Sequence, residues 1–131
     1  MKKIIFISLF TFLCSLFGCA QSTDYPFESV GVDEFEEIIA DTSVVRLDVR
    51  RSEEFAEGHI AGAILIDVTK DSFKEIALQE LPKDKTIALY CRGGNRSKKA
   101  ARILAEEGYK VVELNKGYMS WTAAGKPVTK E

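Results

Sequence analysis

The apolar positions change period several times along the chain, and each change marks an element. Phe35, Ile38 and Ile39 recur with helical spacing just after Asp33, an acid placed to act as an N-cap. They predict a short amphipathic helix that Asp41-Thr42-Ser43 ends. Residues 44–49, Val-Val-Arg-Leu-Asp-Val, are rich in β-branched types and predict a buried strand. A helix follows from Ser52, with Glu53 and Glu54 near the positive end of its dipole, and Gly58 stops it. Residues 63–66 form a second short apolar strand, and residues 71–80 a weaker helix with Phe73, Ile76 and Ala77 on one face. After the turn at Pro82, residues 86–90 give a third strand and residues 97–107 a helix capped by Gly108. Residues 110–114 and 118–123 complete the pattern as a strand and a short helix. Strands alternating with helices imply a parallel sheet covered on both faces, so the expected fold class is α/β.

The first residues follow a different pattern. Lys2 and Lys3 precede an apolar stretch over residues 4–17 that only Ser8, Thr11, Cys14 and Ser15 interrupt, as in an export signal. Leu16-Phe17-Gly18-Cys19 resembles the bacterial lipoprotein cleavage box, in which the cysteine receives lipid; Phe17 is larger than the usual residue there. Ordinary cleavage after Ala20 is the alternative. Residues 20–31 lack periodicity and read as a tether entering the domain. No apolar run of about 18 residues follows, so membrane contact is expected only through a lipid on Cys19. The expected location is therefore the cell envelope or periplasm, with the chain anchored by its N-terminus. Losing Lys2 and Lys3 with the signal leaves 16 Lys and Arg against 20 acids, a net charge of −4. Nucleic acid is not an expected partner, because phosphate binding relies on a basic surface.

Cleavage and lipidation account for Cys14 and Cys19, leaving Cys91 as the domain's one thiol, unable to form an intradomain disulfide. A lone cysteine is usually a small buried hydrophobe; the surroundings of Cys91 give it a second reading. Tyr90-Cys91-Arg92-Gly93-Gly94-Asn95-Arg96-Ser97 joins a buried strand to a helix N-terminus, and open α/β sheets bind ligands at the carboxyl ends of their strands. None of residues 92–97 is proline, and two glycines let the loop curl, so its amides can converge as an anion nest. Helix N-termini and nearby cations lower a thiol pKa from about 8.5 into the range of about 3.5–7.5, so Cys91 is expected to be ionised at neutral pH. Arg92 and Arg96 would favour an anionic substrate such as thiosulfate or a mercapto acid.

Leu89-Tyr90-Cys91-Arg92-Gly93-Gly94-Asn95-Arg96-Ser97 resembles the active-site loop of single-domain rhodaneses. Leu47-Asp48-Val49-Arg50 resembles that family's first signature. Glu54-Phe55 with Gly58-His59-Ile60-Ala61-Gly62-Ala63 resembles its second, and Gly117 to Trp121 with Gly125-Lys126-Pro127 its closing segment. Ala61 and Lys116 depart from the family's usual proline and glycine. The resemblance implies a five-stranded, mainly parallel sheet flanked by helices on both faces. It also implies a loop cysteine that cycles between thiolate and persulfide. The expected organisation is a signal over residues 1–19, a tether over 20–27 and a rhodanese-like domain over 28–131. Asp48, Arg50 and His59 are supporting candidates, Asp48 and His59 mainly as residues that hold loops, and Trp121 is expected to close the core.

One Cys and one His in the domain cannot supply a zinc site, and no Walker or dinucleotide glycine pattern occurs. No metal or cofactor is expected; sulfur is the carried group. The expected function is transfer of sulfane sulfur through Cys91 to a thiol or cyanide acceptor. Two alternatives stay open. The first is a sulfur-relay module that hands its persulfide to an envelope protein and turns over little alone. The second is a cysteine phosphatase or arsenate reductase, which resembles Cys-x5-Arg where this chain has Cys91-x4-Arg96.

Overall fold

The computed structural model describes residues 26–131. The export signal, Cys14, Cys19 and most of the tether lie outside the described residues. Five strands form one sheet in the order β1-β5-β4-β2-β3, with every neighbouring pair parallel. The strands are β1 (Glu28–Val30), β2 (Val45–Asp48), β3 (Ile64–Leu65), β4 (Ile87–Tyr90) and β5 (Val111–Leu114). The helices are α1 (Val32–Ile39), α2 (Ser52–Glu57), α3 (Phe73–Glu80), α4 (Asn95–Glu106) and α5 (Gly117–Ala123). Among the described residues no helix is long and apolar enough to cross a membrane.

The two-residue period of the strands sorts the core onto two faces. Leu47, Val49, Ile87, Leu89 and Cys91 pack with Phe73 and Ala77 of α3 and Ala100, Ala101 and Leu104 of α4. Ala88, Tyr90, Val112 and Leu114 pack with Phe35 and Ile39 of α1 and Trp121 of α5. Burying a large apolar side chain contributes roughly 1.5–3 kcal/mol relative to leaving it exposed. Cys91 continues the alternation of Ile87 and Leu89, so its side chain turns inward at the end of a central strand. Trp121 is buried and donates its indole N–H to the Pro127 carbonyl at 2.9 Å, which closes the second face.

Three differences from the sequence pattern have a specific physical cause. Residues 28–30, within the aperiodic stretch, form edge strand β1, whose register comes from pairing with β5 (Val30 with Leu114). Gly31, not Asp33, occupies the N-cap of α1; Asp33 sits inside the first turn, where its charge faces the helix dipole and pairs with Lys126 at 3.3 Å. Helix α4 begins at Asn95, two residues before Ser97, because Gly94 makes the reversal itself at φ 110°. A β-carbon on Gly94 would collide with the Asn115 carbonyl, so the site requires glycine.

Candidate active site

Three segments meet around Cys91: the β4–α4 turn, helix α2 and the start of α5. Cys91 is 1 % exposed, and its Sγ accepts a hydrogen bond from the Gly94 amide at 3.1 Å. The first amides of α4 have no acceptor inside their helix, so they remain available at the same turn. The loop carbonyls are held elsewhere: Cys91 O accepts the Tyr118 N–H at 2.8 Å, and Arg92 O accepts the Met119 N–H at 3.0 Å. Gly117, at φ 68°, permits this approach, since a β-carbon there would overlap the Arg92 and Cys91 carbonyls. Tying both carbonyls to α5 fixes the peptide planes that lead from Cys91 into the turn.

A cleft of about 380 Å³ opens over the sulfur, lined by Cys91, Arg92, Gly93, Asn95, Arg96 and Met119. The structure thus gathers five of the seven proposed loop residues on the cleft wall, with Gly94 beneath as hydrogen-bond donor. Ser97 turns away: it is fully buried, and its Oγ donates to Glu113 Oε2 at 2.5 Å. Glu113, a fully buried carboxylate on β5, also accepts Ser29 Oγ at 2.6 Å and Lys98 Nζ at 3.2 Å. Lys98 extends this network to the Gly94 carbonyl and to Asn115. The lone acid in Val111-Val112-Glu113-Leu114 was the available sequence signal for this buried support.

Arg96 reaches the cleft as one half of an ion pair. Its guanidinium donates to both carboxylate oxygens of Glu54, at 2.7 and 3.0 Å. That bond is the main reason the Glu54 carboxyl is held down at about 2, with burial opposing. Arg92 is exposed, and no ion pair engages it among the described residues.

Asp48, Arg50 and His59 act on α2 rather than on the sulfur. Buried Asp48 receives Arg50 Nε and Nη2 at 2.9 and 2.7 Å, and Arg50 Nη2 also donates to the Gly58 carbonyl at 2.7 Å. His59 Nδ1 lies 2.8 Å from the Phe55 carbonyl, and its ring stacks on Phe55 with centroids 3.6 Å apart. The His59 backbone is bridged in turn to Thr129 near the C-terminus. These contacts fix the helix that carries Glu54, and through Glu54 they fix Arg96. No cluster of three or more His, Cys, Asp or Glu suited to a metal occurs among the described residues.

The Glu54–Arg96 pair sets a testable acid dependence. The folded Glu54 value lies below its ordinary 4.5, so the pair stabilises the fold above that pH, and the contribution is lost as pH falls toward 2. About a quarter of each side chain remains in water, so the contribution is about 1–2 kcal/mol after screening. The unfolding free energies that urea titrations give for wild type and Glu54→Gln should differ by that amount at pH 6 and converge between pH 4.5 and 2. A gap independent of pH would remove the charge from the explanation.

Fold and site together define a class: a parallel α/β domain in which a cysteine at the end of a central strand opens a glycine turn into a helix N-terminus. A family model described as the rhodanese-like domain matches residues 31–124, and the chain belongs to that family. A sulfurtransferase of Allochromatium vinosum is 35% identical over 92 residues, covering 69% of this chain and 83% of that one. The Bacillus subtilis protein YtwF is 38% identical over 92 residues, 70% of this chain and 86% of its own. The crystal structure of a rhodanese-related protein from Thermoplasma volcanium superimposes with a TM-score of 0.72 at 32% identity, covering 80% of this chain and all of that one.

Proposed function

We propose that this protein is a sulfurtransferase that takes a sulfane sulfur from a small anionic donor, such as thiosulfate, and passes it to a thiol or cyanide through a Cys91 persulfide. One observation carries the reading: Cys91 Sγ sits at the base of a cleft, bonded to the Gly94 amide, with Arg92 and Arg96 on the wall. The Cys91 thiolate attacks the sulfane sulfur of thiosulfate, a new S–S bond forms, and sulfite departs with the electrons of the broken one. The amides of the turn then stabilise the terminal sulfur's charge. An acceptor thiolate or cyanide takes that sulfur, and the bonding pair returns to Cys91.

The turn is tight. Cys91-x4-Arg96 has one residue fewer between cysteine and arginine than the Cys-x5-Arg of phosphatases, and Arg96 is already held by Glu54. A single sulfur fits such a cradle better than a tetrahedral oxyanion. We further propose that the chain works in the cell envelope on an N-terminal lipid at Cys19, where an envelope protein could serve as acceptor.

Incubation with thiosulfate should add one sulfur atom to Cys91, seen by intact mass and reversed by cyanide. If reduced, accessible Cys91 stays unmodified by thiosulfate, mercaptopyruvate and polysulfide, the function is wrong. In the same assay Arg96→Ala should slow loading by about tenfold, the scale of a lost charge-assisted contact. Arg102→Ala, on α4 beyond the turn, should slow it less. Equal effects would deny Arg96 a place at the cleft.

A further inference from the structure

A second groove of about 400 Å³ adjoins the Cys91 cleft, lined by Arg50, Glu54, Glu57, Arg92, Tyr118 and Met119 among others. Arg92 and Met119 belong to both, so a molecule seated in the groove stands beside the opening to the sulfur. Four charged residues line the groove, and two of them are neutralised: Arg50 by Asp48 at 2.7 Å, and Glu54 by Arg96 at 2.7 Å. Exposed Glu57 and exposed Arg92, of opposite sign, remain without an ion-pair partner among the described residues. Tyr118, under the Arg50 guanidinium at 4.2 Å, and half-exposed Met119 supply apolar surface to the same groove.

We infer that this groove is the acceptor subsite and that it takes a zwitterionic thiol, with its ammonium at Glu57 and its carboxylate at Arg92. The inference rests on sulfur transfer through Cys91. A purely anionic ligand in the groove meets Glu57, and a purely cationic one meets Arg92, so a ligand carrying both charges is the best match. The small anionic donor keeps the other cleft, where Arg92 and Arg96 stand without Glu57. In the acceptor step the thiolate attacks the outer sulfur of the Cys91 persulfide and forms a new S–S bond. The bond to Sγ breaks, its electron pair returns to Cys91 as thiolate, and the acceptor leaves as a persulfide. No external oxidant or reductant is consumed.

The test uses the full chain, loaded with thiosulfate and checked for the added sulfur by intact mass before each run. Single-turnover discharge is then followed with cysteine, cysteamine, 3-mercaptopropionate and uncharged 2-mercaptoethanol, each rate corrected for its thiolate fraction. The readout is the rate with a charged thiol divided by the rate with mercaptoethanol. Glu57→Gln should lower this ratio for cysteine and for cysteamine by about threefold, the scale of an exposed charge pair, and raise it for mercaptopropionate. Arg92→Gln should lower the ratio for cysteine and mercaptopropionate by a similar factor. Ratios unchanged in both variants, each confirmed by mass to carry the added sulfur, overturn the subsite and leave sulfur transfer standing. Wild-type protein that never gains the sulfur overturns sulfur transfer, and the acceptor subsite with it.

Discussion

Cys91→Ser should abolish sulfur transfer, by at least about a thousandfold, and leave the domain folded. The two halves of this expectation have separate causes. Cys91 is 1 % exposed and packs among the side chains of one sheet face, so the residue contributes to the core as well as to the cleft. Serine is close to it in shape, and its hydroxyl can still accept the Gly94 N–H, so no buried donor is stranded. Chemistry is less forgiving, because an alcohol is a far weaker nucleophile than a thiolate and cannot carry sulfur as a persulfide. Sulfite release from thiosulfate measures the loss, and coincident circular dichroism spectra of variant and wild type measure the fold. A folded Cys91→Ser protein with unchanged transfer would end the mechanism.

What the sequence revealed depended on how far apart the interacting residues lie. The strands ending at Asp48, Leu65, Tyr90 and Leu114 are legible because β-branched runs bounded by turn residues report local burial. The cysteine turn is legible for the same reason, being one contiguous segment. Edge strand β1 is not, since two of its three residues are exposed and its conformation is set by pairing with β5. The start of α4 was placed late because Gly94 turns the chain against Asn115, a contact with a residue well downstream. The charge of Arg96 and its position inside the loop place it at the turn, yet its orientation comes from Glu54, 42 positions away. From sequence Glu54 shows as an acid in a first helical turn and as part of a family signature, and neither reading pairs it with Arg96. Ser97 belongs to the contiguous segment read as the sulfur-binding loop, but one helical step past Arg96 aims it at Glu113.

Glu113→Ala should be the most destabilising single change in the domain's polar interior, costing about 2–4 kcal/mol. The carboxylate is fully buried and accepts from Ser29 on β1, Ser97 on α4 and Lys98 on α4, so its loss frees three donors at once. Ser97 is itself fully buried and would have no acceptor in its place, whereas the Lys98 side chain, 20% exposed, can turn to water. That partial escape places the estimate below the full cost of stranding a buried ion pair, about 3–5 kcal/mol. Lys98 also reaches the Gly94 carbonyl and both oxygens of Asn115, so its release loosens the turn whose amide meets Cys91 Sγ. The change should therefore lower the urea midpoint and, in the fraction that remains folded, slow thiosulfate loading of Cys91. Glu113→Gln separates the causes, since a Gln carbonyl can still accept from Ser97 while the charge opposite Lys98 is gone. It should recover more than half of the lost stability if the hydrogen bonds dominate, and little of it if the ion pair does. A Glu113→Ala midpoint within error of wild type would show that this buried network does not support the turn.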